Sequence, residues 1–230
     1  MLIVRPKFRL EAYVTFLKQT KIACNLIIFG NLPASLYNTN HTAISMRKLS
    51  LKELNRVSPA EFKLQERTSL IVVLDNVRSG LNVGSAFRTA DAFALEAVYL
   101  CGITAQPPHR EILKTAIGAT ESMDWQYFEK TTDAMQDLRD KGYTILAIEQ
   151  AEGGTFLQNF DVKKDAKYAV IFGNEVKGVS DEVMALVDTC IEVPQFGTKH
   201  SLNISVCVGV VTWELFRKIR VDALLRINEL

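Results

Sequence analysis

From about residue 70 onward the hydrophobic and polar positions follow two alternating patterns. Short apolar runs rich in β-branched residues, such as "LIVVLDNV" at 70–77, are bounded by turn residues, the pattern of strands buried on both faces. Between them lie stretches with the roughly 3.6-residue period of amphipathic helices. The pattern predicts strands at 70–77, "AVYLCGI" (97–103), "WQYFE" (125–129), "YTILAIE" (143–149), "KYAVIFG" (167–173) and "CIEVP" (190–194). Helices are predicted at 83–93, over "HREILKTAIGA", at 131–141 before Gly142, from Ser180 to Val187 and over 201–220. Two capping boxes, Ser50-x-x-Glu53 and Ser58-Pro59-x-Glu61, predict two short helices ahead of the first strand. Strands alternating with helices imply an α/β fold, a mainly parallel sheet with helices on both faces.

Composition changes this picture little. Of 230 residues, 48% are hydrophobic and 23% charged, ordinary for one main domain, and 27 basic against 26 acidic residues leave no global field to attract nucleic acid. Any such binding must use a local patch. Cys24, Cys101, Cys190 and Cys207 lie far apart in apolar runs without metal-ligand spacing, so we expect buried free thiols and no metal site. No apolar run reaches the roughly 18–20 residues of a membrane span, and no signal peptide with a small-residue cleavage site is present. A soluble, cytoplasmic protein is expected. Residues 1–45 differ from the rest, with Arg5, Lys7, Arg9, Lys18 and Lys21 against Glu11 alone. Met46 followed by "RKLSLKEL" reads as a natural start, which makes 1–45 an extension or a mis-assigned start, or alternatively a basic RNA-binding arm. The expected organisation is this extension, a helical lead-in at 46–69, a main domain at 70–222 and a tail at 223–230.

Ligands of open parallel sheets bind at the carboxyl ends of the strands. Three predicted loops there carry unusual polar residues: Asn82 and Arg88 after the first strand, Gly173-Asn174-Glu175 with Gly178 after "KYAVIF", and "QFGTKH" leading into Ser201-Leu202-Asn203. None contains G-x-G-x-x-G, G-x-x-x-x-G-K-[ST] or G-x-S-x-G, so dehydrogenase, P-loop and α/β-hydrolase readings lose their support. The three blocks "NVGSAFR", "FGNEVKG" and "VPQFGTKHSLNIS" instead resemble, in order and position, the motifs of the SpoU branch of the SPOUT methyltransferases, the TrmH family. The resemblance covers about residues 70–220. "AFALEAV" departs from it where the family often has a glycine after the phenylalanine, which affects a turn and not the site.

The resemblance implies a SPOUT-type fold with a C-terminal trefoil knot, working as a homodimer. It implies transfer of a methyl group from S-adenosyl-L-methionine to a ribose 2′-hydroxyl of RNA, tRNA ahead of rRNA. By match, Ile148, Gly173, Val193, Ser201 and Leu202 would hold the cofactor through main-chain groups. Arg88, Asn82, Glu175 and Asn203 would form the catalytic set. Arg88 would orient the substrate and stabilise the developing alkoxide, since a guanidinium gives up its proton reluctantly. Asn82 would position the ribose or Arg88, Glu175 would hold Arg88 or a neighbouring backbone amide, and Asn203 would complete the network. Two other readings stand beside this one: a SPOUT enzyme acting on a base nitrogen, and a catalytically silent RNA-binding or ribosome-assembly factor.

Each residue also has a plain structural reading. Asn82 alone reads as the N-cap of a helix starting at Val83, Arg88 as a solvated helix residue, Glu175 as a surface carboxylate and Ser201 as the N-cap of the last helix. Asn203 inside the apolar "LNISVCVGVV" needs a hydrogen-bond partner. His200 beside Ser201 has no evident acidic partner, and His109 after "QPP" suggests no chemistry. The face "VCVGVVTWELF" reads as core or dimer interface, with Gly209 admitting a close helix. Arg47, Lys48, Lys52, Arg56, Lys63 and Arg67 read as phosphate contacts or as a solvated face.

Overall fold

The computed structural model describes residues 47–50, 53–54, 57–199 and 201–220. Expectations for residues 1–45, for Lys52, Arg56 and His200, and for the tail lie outside the described residues. The chain divides into two units, Met1–Asn55 and Arg56–Leu230. In the first, Arg47 pairs with Glu53 at 2.6 Å, and Ser50 N donates to the same carboxylate at 2.8 Å. The expected capping box is half made, because the Glu53 amide bonds the Ser50 carbonyl at 3.1 Å while the Ser50 hydroxyl donates to the carboxylate.

The second unit runs α1 (Pro59–Leu64), β1 (Thr68–Asp75), α2 (Gly80–Ala92), β2 (Leu95–Cys101), α3 (Arg110–Ala116), α4 (Ala119–Ser122), β3 (Trp125–Phe128), α5 (Thr131–Asp140), β4 (Tyr143–Ile148), β5 (Thr155–Phe156), a 3₁₀ turn (Leu157–Asn159), β6 (Lys167–Phe172), α6 (Asp181–Met184), β7 (Thr189–Glu192) and α7 (Ile204–Ile219). The seven strands form one sheet in the order β3, β2, β1, β6, β4, β7, β5, parallel throughout. Its two faces follow from the alternation of side chains along each strand. Leu70, Val72 and Leu74 of β1 pack with Phe87 of α2, Ile112 of α3 and Val208 of α7, while Ile71 and Val73 pack with Met135 and Leu138 of α5 and Val183 of α6. Each fully buried aliphatic or aromatic side chain contributes about 1.5–3 kcal/mol. The expected parallel sheet with helices on both faces is therefore present. In α5 the buried residues Thr131, Ala134, Met135 and Leu138 make a single stripe, and Gly142 at φ 80° follows its end. The complete capping box at Ser58 and Glu61 starts α1 as expected.

The differences have local causes. Helix α2 begins earlier than expected because Ser79 caps it, its hydroxyl accepting from Asn82 N at 3.3 Å. Helix α7 starts at Ile204, capped by Asn203 and not by Ser201. The helix expected from Ser180 to Val187 is the single turn α6, without a side-chain capping bond from Ser180. Asp188 ends it by exchanging two bonds with Ile145, N to O at 2.9 Å and Oδ2 from N at 2.7 Å, which draws the chain into the sheet. "HREILKTAIGA" splits into α3 and α4 where Ile117 and Gly118 take positive φ. Of the cysteines, Cys101 is buried, whereas Cys190 and Cys207 are only half-buried, and all three are free. Burial pushes the Cys101 thiol up to about 12 and the Cys207 thiol up to about 11. No helix among the described residues is long and apolar enough to cross a membrane.

Gly84, the glycine of "NVGSAFR", is a helix-contact residue. A Cβ there would lie 2.2 Å from Thr115 Oγ1 and 2.3 Å from the Ile112 carbonyl oxygen, so only glycine lets α2 press onto α3. Gly209 on α7 has open space where its Cβ would be. Gly84→Ala is expected to lower unfolding free energy by about 1–3 kcal/mol in urea denaturation, through overpacking, with Gly209→Ala no less stable than the parent chain below the concentration of any self-association.

Candidate active site

Strands β1 and β6 are neighbours at the centre of the sheet, yet β1 leads on to β2 and β3 on one side while β4, β7 and β5 lie on the other. That reversal opens a crevice at their carboxyl ends, and the loops after β1 and β6 meet there. Glu175 joins them: Oε2 accepts from Arg78 N at 2.9 Å, and Oε1 accepts from Ser79 N at 3.0 Å and Asn82 Nδ2 at 3.2 Å. Asn82 Oδ1 in turn accepts from Asn203 Nδ2 at 3.4 Å, and Asn203 Oδ1 accepts from the amides of Ser205 and Val206 at the start of α7. Asn174 adds a second tie, with Nδ2 donating to the Asn76 carbonyl at 2.8 Å and Oδ1 accepting from Val176 N at 2.9 Å and Lys177 N at 3.1 Å. Desolvation opposes charge on Glu175, but the amides of Arg78 and Ser79 and the side chain of Asn82 outweigh it and hold the carboxyl below the usual carboxylate range.

Three of the four residues singled out for chemistry thus converge in one network from three loops. Asn82 is not the helix cap, because Ser79 fills that place and leaves the Asn82 side-chain carboxamide to Glu175 and Asn203. Asn203 is not embedded in the last helix but caps it, which accounts for its Oδ1, and its Nδ2 extends the network. Glu175 holds backbone amides and not Arg88. Arg88 lies apart: it is exposed on α2, without a side-chain hydrogen bond or ion pair among the described residues. Six residues beyond Asn82, it is about 240° further round the helix, on the flank of Leu81 and Ser85.

Beside the network is a cleft of about 790 Å³, and Ile148, Gly173, Val193, Ser201 and Leu202 all line it, together with Glu175 and Asn203. Much of its lining comes from the loops that follow β4, β6 and β7. At Gly173 an added Cβ would lie 2.1 Å from the Gly178 carbonyl carbon and 2.2 Å from Val179 N, so the turn closes only over glycine. Sequence reasoning passed over Glu149, which lines the cleft and accepts from Val179 N at 3.0 Å and Gln150 N at 2.9 Å, fastening the loop after β4 to the one after β6. Its signal was a lone carboxylate directly after a buried strand, in "TILAIE". Among its described lining residues the cleft carries four carboxylates, Glu149, Glu175, Asp181 and Glu192, against one cation, Lys177.

With this geometry in hand, known proteins supply the frame. The model of the SpoU rRNA Methylase family matches residues 69–213. A TrmH family tRNA/rRNA methyltransferase of Staphylococcus saprophyticus is 29% identical over 159 residues, 69% of this chain and 63% of that protein. A tRNA (guanosine(18)-2′-O)-methyltransferase of Aquifex aeolicus is 31% identical over 173 residues, 73% of this chain and 77% of that protein. The chain therefore spans less than two thirds of the first relative and about three quarters of the second. Among solved structures, the AdoMet-bound rRNA methyltransferase of Sinorhizobium meliloti matches with a TM-score of 0.61 at 27% identity, over 71% of this chain and 61% of that one. Since the matched span runs from β1 into α7 and contains every residue of the network, the chain belongs to the SpoU rRNA methylase family.

Proposed function

We propose that this chain transfers the methyl group of S-adenosylmethionine to a ribose 2′-hydroxyl of RNA, in the cytoplasm, as a homodimer with a knotted carboxyl-terminal region. The observation that carries the reading is the adjacency of the acidic, loop-lined cleft to the Glu175–Asn82–Asn203 network. The residues present fit the cofactor, whose sulfonium and ammonium outnumber its one carboxylate. Four carboxylates on the wall favour such a cation and disfavour a phosphate-bearing nucleotide. The Aquifex relative, of which the chain spans 77%, favours transfer RNA over ribosomal RNA.

Bound in the cleft, S-adenosylmethionine supplies a methyl group already activated on sulfur. The chain's part is to hold and orient. The main chain around Ile148, Gly173, Val193, Ser201 and Leu202 grips the adenosine end, and Asn82 and Asn203 offer amide groups to the ribose. Fixing the two reactants in line accounts for up to about 7–11 kcal/mol of the barrier. Arg88 stabilises the oxygen as the O–CH3 bond forms, the S–CH3 bond breaks and the hydroxyl proton passes to solvent water, and it acts on the cleft of a second copy, because within one chain it is turned away from the network. The exposed face of α7 suits that assembly: Val206, Val210 and Trp213 are 53%, 41% and 47% exposed around the bare Gly209, while Val208, Val211 and Leu215 on the other face are core.

Labelled methyl from S-adenosylmethionine is expected in 2′-O-methyl nucleosides when RNA from cells lacking the protein is the acceptor. Label in a methylated base would replace this reading with base-nitrogen chemistry, and cofactor binding that cannot be detected would replace it with a silent RNA-binding role.

Arg88→Ala is expected to cut turnover about 10²-fold or more while cofactor affinity stays within about twofold. Co-refolding Arg88→Ala with Glu175→Ala in equal amounts is expected to restore roughly a quarter of wild-type activity, because about half of the dimers are mixed and each has one intact site. No restoration would place Arg88 on its own subunit's cleft.

The depressed Glu175 carboxyl gives a signed pH effect. Its tie is complete above the ordinary glutamate range and is lost as pH falls through the lower value it has in the fold. Glu175→Gln is therefore expected to be less stable at neutral pH, by about 1 kcal/mol because solvent reaches the group. The gap to the parent chain should close on acidification, read by thermal melts across pH.

A further inference from the structure

Beside the cofactor cleft lies a second one, of about 690 Å³, whose lining includes Asn76, Arg78, Ile103, Val176 and Lys177. The two share residues 174, 176–179 and Asp181 as a common wall. Glu175 lines the first cleft and holds the backbone amide of Arg78, which lines the second, so the network sits on the ridge between them. A ribose whose 2′-hydroxyl meets Asn82 and Asn203 has its methyl donor on one side of that ridge. Its base must go elsewhere.

The second cleft has the chemistry for it. Ile103 and Val176 are 66% and 76% exposed, large apolar surfaces that leave water if a flat ring lies against them. The Arg78 and Lys177 side chains carry no hydrogen bond or ion pair among the described residues, so both cations are available to phosphate. Of the two carboxylates on its wall, Asp75 is buried and engaged by Asn76 Nδ2 at 2.8 Å and Thr131 Oγ1 at 2.5 Å, with Ser180 N at 3.4 Å, which leaves Asp181. The volume lies in the usual range of roughly 300–1,000 Å³ for small-molecule sites. Bases turned out of a stack are read in this way, packed between aromatic or apolar side chains.

We propose that the second cleft is the base subsite of the RNA substrate: the base of the nucleotide being methylated packs against Ile103 and Val176, with Arg78 and Lys177 on the flanking phosphates. This rests on the methyl-transfer reading above. Its test is methyl incorporation into total small RNA from cells lacking the protein, at limiting and at saturating RNA, with cofactor affinity measured in parallel. Ile103→Asp, at a residue that lines the second cleft and not the first, is expected to slow incorporation roughly tenfold or more at limiting RNA, with recovery toward the wild-type rate at saturation and cofactor affinity within about twofold. Ile103→Leu is expected to keep the wild-type rate. An unchanged rate at limiting RNA for Ile103→Asp would overturn the subsite while leaving the methyltransferase reading intact, as would a parallel loss of cofactor affinity. A wild-type chain that binds cofactor but incorporates no label would remove the reading and the subsite with it.

Discussion

A carboxylate at the amino end of a helix is the constraint on which the rest of this site depends. In many α/β proteins the turn from the first strand into the first helix presents free amides to a phosphate, which the helix dipole favours. Here the same position is filled from within the chain. Glu175, 97 residues beyond Arg78, places its two oxygens on the amides of Arg78 and Ser79 at the start of α2. The turn has no need of a phosphate fingerprint because its anion is a side chain. By occupying those amides, Glu175 also fixes the amide group of Asn82, one helical turn in, so that Asn203 can reach it from the last loop.

Once that tie is made, the cleft beside it follows from glycine and from a second carboxylate. Gly173 lets the loop after β6 fold flat on its own backbone, and Gly178, at φ 69°, lies so close to Glu149 that a Cβ would fall 2.1 Å from Oε2. Glu149 and Glu175 therefore hold opposite ends of one short loop, each by main-chain amides. Such a loop presents backbone groups in fixed directions, which suits recognition of a ligand whose edges are hydrogen-bonding and whose charge is positive. It also explains why Asn174 spends both ends of its side chain locally, on the Asn76 carbonyl and on the Val176 and Lys177 amides.

Much of this was legible in the amino-acid sequence, for identifiable reasons. Strands buried on both faces leave continuous apolar runs, so β1, β4 and β6 were readable to within two residues, whereas β5, two residues long, carries no period at all. Caps were harder. Ser79 and Asn82 are both cap-forming residues three apart, as are Ser201 and Asn203 two apart, and only the fold decides which one takes the amides. The motif blocks picked out Glu175, Asn82 and Asn203, but a bond between residues almost a hundred positions apart leaves no trace in periodicity. The separation of Arg88 from that group could have been read from the helix itself, since a spacing of six residues does not return to the same face.

The near-neutral total charge conceals how the charges are sorted. Among the described lining residues, the first cleft carries four carboxylates against Lys177, whereas at the second Asp75 is buried and engaged and Asp181 alone stands against Arg78 and Lys177, so the balance tilts from acidic to basic across the loop 174–179. In the proposed reaction a cationic donor and an acceptor inside a polyanion are each better placed in the cleft of opposite balance. Lys177 and Asp181 are on both walls and Glu175 stands on the ridge, so in that proposal the loop that lines the donor side also bears on where the phosphates lie. A substitution that moves this loop should therefore disturb both partners together, whereas one at Ile103, which lines the second cleft alone, acts on the RNA side.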